Sequence, residues 1–114
     1  MCMASVELMR GALELAVLEV VSHETTYGFE LLATLRSSGF PDVADPSVYG
    51  VLRRLEAGGK LTSELIASPS GAARRYYRLT DSGRTALEHA TVEWDALVRA
   101  MAGIRIDRTK DEQR

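Results

Sequence analysis

The sequence predicts a mainly α-helical protein carrying one small β-hairpin, and three observations carry that prediction. Apolar residues recur at helical spacing in separate stretches, two short β-rich runs flank the turn-forming Ser68-Pro69-Ser70-Gly71, and helix start and stop signals fall between them. The predicted order is helix, helix, helix, hairpin, helix.

The first helix is predicted from Ser5 to Ser22, a stretch without proline. Leu13, Ala16, Val17 and Val20 lie on one side, and Leu15, Leu18 and Val21 add a second. A helix apolar on two sides needs cover from more than its own domain, so a partner chain is expected. After the polar break from His23 to Thr26, whose threonines are N-cap candidates, a second helix is predicted from Tyr27 to Ser37. Its buried face is expected to hold Phe29, Leu32 and Leu35, and Gly39 should stop it.

The third helix begins where Asp45 can cap and Pro46 can take the first helical position, which needs no N–H. It ends at the Gly58-Gly59 pair. Extended runs from Leu61 to Ala67 and from Arg74 to Leu79 then form the hairpin. Thr80 caps a fourth helix of more than twenty residues that fades near Gly103, and alternating charges from Arg105 onward predict a disordered tail. Three compact helices followed by a two-stranded hairpin make a winged helix-turn-helix. Residues 1–79 are therefore expected to form the winged head, 80–104 a long C-terminal dimerisation helix, and 105–114 the tail.

Composition narrows the function classes. The chain has 114 residues, 46% of them hydrophobic and 26% charged, which suits one soluble globular domain. No apolar run approaches the roughly 20 residues needed to span a bilayer, and no signal peptide is recognisable, so a cytoplasmic protein without membrane contact is expected. Cys2 is the only cysteine, which rules out an intrachain disulfide and leaves it without an expected function. His23 and His89 have no partner at metal-ligand spacing. No nucleophilic triad, phosphate loop or paired carboxylates stand out, so no catalytic residue, metal or cofactor is expected.

The formal net charge of −2 is unevenly spread. Residues 1–45 carry two basic and seven acidic side chains, whereas residues 46–79 carry six basic and two acidic ones. Arg53, Arg54, Lys60, Arg74, Arg75 and Arg78 supply that positive segment. Local field matters more than the sum for a polyanionic partner.

At 100° per residue, Val48, Val51, Leu52 and Leu55 share the core side of the third helix. The opposite side carries Pro46, Gly50 and Arg53, flanked by Tyr49 and Arg54. A glycine inside an exposed helix costs up to about 1 kcal/mol against alanine, so close approach to another surface is one reason to keep Gly50. The arginines can reach phosphates or a guanine edge, and Ser47 adds a hydroxyl beside the positive end of the helix dipole. A plain solvated face is the competing reading. The second hairpin strand shifts the balance, because Arg74 and Arg75 sit near the tip while Tyr77 and Leu79 alternate toward the core. A basic hairpin beside a basic helix suits a helix in the major groove and a wing along the backbone or minor groove.

In the fourth helix Leu87, Ala90, Trp94, Leu97, Met101 and Ile104 are spaced 3, 4, 3, 4, 3, which is a two-stranded seam. Burying its large side chains gives a gross gain on the order of 10 kcal/mol, enough to drive association. The alternative is that this face folds back on its own domain. Trp94 reads either as an interface anchor or as one wall of a site for a flat aromatic molecule.

Four stretches carry a family resemblance. They are Arg10-Gly11-Ala12-Leu13-Glu14-Leu15-Ala16-Val17-Leu18, then Tyr27-Gly28-Phe29-Glu30-Leu31, then Ser47-Val48-Tyr49-Gly50-Val51-Leu52-Arg53-Arg54-Leu55-Glu56. The last and most specific is Arg74-Arg75-Tyr76-Tyr77-Arg78-Leu79-Thr80-Asp81-Ser82-Gly83-Arg84, with Glu93-Trp94 beyond it. In these the chain resembles the PadR-type transcriptional regulators, in particular the short subclass with one C-terminal helix. The resemblance implies a homodimeric winged-helix repressor whose promoter binding is released by a small hydrophobic or phenolic ligand, and a DNA-binding dimer is expected to read an inverted-repeat operator. It implies DNA contacts from Ser47, Tyr49, Arg53, Arg74 and Arg75, adds Tyr27 at the start of the second helix, and places Trp94 at a ligand cavity. The chain departs from the usual family pattern at Pro46-Ser47 and at Gly50, which bears on the operator rather than on the fold. A winged-helix module that binds only proteins is the alternative, against which the segmental positive charge argues.

Overall fold

The computed structural model describes residues 6–112, with side chains from 8 to 108, so Cys2 and Ser5 lie outside the described residues. Helices α1 (Val6–His23), α2 (Gly28–Ser37) and α3 (Asp45–Ala57) precede a hairpin of β2 (Leu61–Ala67) and β3 (Ala73–Leu79), and α4 (Asp81–Glu112) closes the chain. A short strand β1 (Thr26–Tyr27) lies between α1 and α2. It pairs antiparallel with β3, giving a three-stranded sheet in the order β1-β3-β2. The architecture is the predicted mainly α winged helix-turn-helix with a long C-terminal helix.

One core joins the three-helix head to the sheet. Leu13, Val17, Leu18 and Val21 of α1 meet Leu31, Leu32 and Leu35 of α2 and Val48, Val51, Leu52 and Leu55 of α3, with Leu61 and Tyr77 closing it from the wing. The α3 side matches the predicted core side residue for residue. Of the second apolar flank of α1, Leu18 and Val21 are buried in this core and Leu15 is half-buried, and α4 of the same chain packs against α1.

Phe29 is a correction. The buried face of α2 is Gly28, Leu31, Leu32 and Leu35, and Phe29 stands 73% exposed. Those four positions cluster within about 100° of arc, and Phe29 lies about 110° from its centre. A second correction concerns caps. Ala44, not Asp45, occupies the N-cap of α3, with Asp45-Pro46 opening the helix. The Asp45 carboxylate instead pairs with Arg36 at 2.5 Å, and Arg36 also donates to the Val43 carbonyl at 3.0 Å. At α2 the cap position is Tyr27, while the Thr26 hydroxyl donates to Glu30 Oε1 at 2.8 Å. Thr26 also lies in the sheet, opposite Tyr77.

The end of α3 follows expectation. Gly59 takes φ 77°, and the Lys60 N–H bonds back to the Leu55 carbonyl at 2.8 Å, closing the helix with a left-handed residue. Thr80 caps α4 as predicted. Its hydroxyl accepts the Gly83 N–H at 3.0 Å and donates to the Gly59 carbonyl at 2.6 Å, which stitches the end of α3 to the start of α4. The last helix differs from expectation at its far end. It runs through Gly103 to Glu112, where the sequence reading placed a fading end and a disordered tail from Arg105. A single glycine costs about 1 kcal/mol in a helix, too little to end one that has no proline beyond it.

Only the start of α4 is packed. Ala86 and Leu87 rest against the core, whereas every described side chain from Thr91 to Arg108 is exposed. The radius of gyration is 17.2 Å, against about 13 Å for a compact chain of this length. The distal part of α4 therefore projects from the head.

Candidate nucleic-acid interface

Three elements converge on one face of the head: the start of α2, the outer side of α3, and the wing. Tyr27, Gly28, Phe29, Tyr49, Arg74, Arg75 and Tyr77 line a crevice of about 420 Å³ there. Five of the eight residues expected at a DNA-reading surface lie on or beside it: Tyr27, Tyr49, Arg74 and Arg75 in its walls, and Arg53 near enough to act on Tyr77.

The two wing arginines point to opposite faces of β3, as successive strand residues must. Arg74 pairs in register with Ile66 and lays its guanidinium 4.6 Å from the centre of the Tyr27 ring. Tyr27 in turn packs against Tyr76, with ring centres 5.2 Å apart and tilted by 60°. Arg75 faces α3 instead. It donates to Ser63 Oγ at 3.0 Å, and Ser63 donates to Glu56 Oε2 at 2.5 Å. The third basic residue of the strand, Arg78, lies 3.6 Å from Glu64. Among the described residues Arg53, Arg54, Arg74 and Arg75 form no ion pair. The arginines of this segment that carry no ion pair therefore lie on α3 and near the wing tip.

Tyr77 is nearly buried beneath the crevice. Burial pushes its phenol above the ordinary value of 10.0; Glu56 and Tyr49 reinforce the rise, and Arg75 and Arg53 oppose it. The phenol is therefore held neutral, as a hydroxyl and not as an anion.

The remaining predicted residues are on α3 but do not line this crevice. Ser47 and Arg54 line a separate cavity of about 270 Å³ with Met9, Arg10 and Leu13 of α1. Gly50 is half-buried, and a methyl group added there would meet nothing nearer than Arg54 Nη1 at 3.7 Å. Its own chain does not require a glycine at that position. Sequence reasoning missed Arg10, Phe29, Ser63 and Glu56. Arg10 sits in an otherwise acidic segment, and Phe29 fits a helical apolar face if only spacing is counted. The Ser63–Glu56 link depends on the wing's twist, which no local pattern reports.

The seam residues divide along α4. Leu87 and Ala90 are half-buried, Leu87 against the core, whereas Trp94, Leu97, Met101 and Ile104 are 45%, 54%, 46% and 62% exposed. Trp94 borders a cavity of about 390 Å³ shared with Ala12, Leu15, Ala16, Glu19, Phe40, Thr91 and Asp95. Among the described residues no group of His, Cys, Asp or Glu could hold a metal ion, and no helix is long and apolar enough to cross a membrane.

Comparison with known proteins agrees with this architecture. The family model described as the transcriptional regulator PadR-like family matches residues 17–89. A transcriptional regulator of Mycobacterium tuberculosis is 35% identical over 97 residues, covering 85% of this chain and 89% of that protein. A crystal structure of a Streptococcus transcriptional regulator superposes with a TM-score of 0.80 at 31% identity, over 89% of this chain and 99% of that one. A PadR-like regulator from Bacillus cereus gives 0.78 at 32% identity, over 86% and 95%. Another PadR-family regulator, from Eggerthella lenta, gives 0.78 at 34%, over 87% and 86%. With its winged head and the exposed arginines Arg53 and Arg54 on α3, the chain belongs to the PadR-like family of DNA-binding transcriptional regulators.

Proposed function

We propose that this regulator acts in the cytoplasm as a homodimeric repressor. Two copies pair through the distal halves of their α4 helices and present two α3–wing heads to an inverted-repeat operator. The observation that carries this reading is the exposed side of α4, where Trp94 at the edge of the head and Leu97, Met101 and Ile104 further along keep an a/d seam uncovered. Apolar side chains at that spacing are stabilised by a second helix, and each fully buried one contributes about 1.5–3 kcal/mol. In each head α3 enters the major groove with Ser47, Tyr49, Gly50, Arg53 and Arg54, while Arg74 and Arg75 follow the backbone and Tyr27 abuts it. Half-sites then face one side of the duplex, roughly 34 Å apart or a multiple of that.

A small hydrophobic or phenolic ligand at Trp94 would release the operator. The cavity that Trp94 shares with α1 supports this, because a molecule wedged there alters the angle between α4 and the head. The test is a gel shift on duplexes selected from a random pool, with and without planar aromatic compounds, alongside Trp94 fluorescence. Salt-sensitive binding to an inverted repeat, released by a compound that quenches Trp94, is expected. No selected sequence at moderate salt would overturn DNA reading, and binding that no quenching compound releases would overturn the ligand response.

A further inference from the structure

We infer that Ser63 and Glu56 are positioning residues for DNA recognition, which lock the wing's Arg75 to the end of the recognition helix. This rests on the DNA-reading function proposed above. The three residues come from three elements: Glu56 from α3, Ser63 from β2 and Arg75 from β3. A serine hydroxyl has one proton and two lone pairs. Here the proton goes to Glu56 Oε2 at 2.5 Å, and a lone pair accepts Arg75 Nη1 at 3.0 Å. Ser63 therefore serves both partners at once.

Register explains why the link forms. Ser63 lies opposite Tyr77 and Leu65 opposite Arg75, so Ser63 and Arg75 are diagonal neighbours on the same face of the hairpin. That face turns toward α3. Arg75 is exposed, yet one hydrogen bond tethers its guanidinium to Ser63, whereas the exposed Arg53 and Arg54 have no such tether. An arginine already held in one geometry loses less rotamer freedom when it meets a phosphate or base edge. Glu56 has a second effect. Its negative charge beside Arg75 offsets part of the attraction for any duplex, so the wing contributes less to non-specific binding. Helix and wing then engage DNA as one rigid unit, and the gain appears as discrimination between sequences.

The experiment measures affinity for a duplex selected by the wild-type protein and for a scrambled duplex of equal length. Ser63→Ala should lower affinity for the selected duplex about tenfold and leave the scrambled one unchanged, while Ser63→Thr, which keeps the hydroxyl, should match wild type. Glu56→Gln keeps an acceptor for the serine proton but removes the charge, so scrambled-duplex binding should rise about threefold and selected-duplex binding should persist. In an Arg75→Ala background Ser63→Ala should have no further effect, because a residue that acts through Arg75 has nothing left to position. An equal loss in both backgrounds, or an unchanged affinity ratio in Ser63→Ala, overturns the inference while leaving DNA reading intact. Failure of the wild type to select any duplex overturns both.

Discussion

The ring of Tyr49 lies directly over the backbone of Gly28, so that a methyl group built on Gly28 would come within 2.7 Å of Tyr49 Cζ. The recognition helix and the start of α2 thus meet through one aromatic side chain and one missing side chain. Tyr49 lines the crevice and still reaches solvent. Sequence places the two residues in separate helices; only the packing explains why the first residue of α2 is glycine.

Gly28→Ala should therefore displace Tyr49. Overpacking of this kind costs about 1–3 kcal/mol when neighbours cannot move, and toward the lower end when the neighbour is a ring that can swing outward. Thermal melting should show a modest loss of stability, and a gel shift should show weakened operator binding. Unchanged binding would separate Tyr49 from recognition.

Gly50→Ala should move stability and binding in opposite directions. Nothing in the chain crowds a methyl group at this position, so the helix gains up to about 1 kcal/mol from alanine's higher propensity. If the glycine admits a groove wall, the same methyl weakens DNA binding. Stabilisation without any loss of affinity would remove Gly50 from the interface.

Gly83→Ala should be the most damaging of the three. The added methyl would lie 2.8 Å from Leu79 Cδ1 and closer still to the Lys60 carbonyl oxygen, a backbone atom at the α3–β2 junction. It would also disturb the cap in which the Gly83 N–H bonds Thr80 Oγ1. A destabilisation of about 2–4 kcal/mol is expected, since overpacking and cap loss combine. Chemical denaturation would measure it, and a change below about 0.5 kcal/mol, the range of ordinary surface substitutions, would contradict the packing.

The raised pKa of Tyr77 sets the sign of an alkaline effect. Its phenol ionises later in the folded chain than the ordinary value of 10.0, so the unfolded chain releases that proton first. The contribution to stability is complete below pH 10 and is lost as pH rises from there through the folded value. Denaturation from pH 8 to 11 should show the fall, and Tyr77→Phe should flatten it. An equally steep fall in the variant would assign the effect elsewhere.

Much of the head was legible because its signals are local. Helical spacing located the α3 core residue for residue, Thr80 announced the fourth helix, and the glycine pair after Ala57 closed the third. What escaped depends on tertiary partners. Strand β1 has two residues and exists only because β3 lies beside it. Asp45 carries the right chemistry for a cap, yet Arg36 holds its carboxylate. That Arg74 and Arg75 lie near the tip is legible in the sequence, but which face each takes, and that Arg75 is tethered through Ser63, follows from register and twist. Phe29 shows the limit of counting spacing alone, because the arc toward the core begins at a glycine that composition gives no reason to choose.

Sedimentation equilibrium on the intact protein and on a Leu97→Asp variant is the most direct test of the paired-head account. One chain has a mass of 12.5 kDa, and the wild type should sediment at twice that value. The variant, with a carboxylate in the exposed seam, should sediment as a single chain and lose operator binding with it. A wild type that remains at 12.5 kDa at the concentrations where it binds DNA would contradict the account.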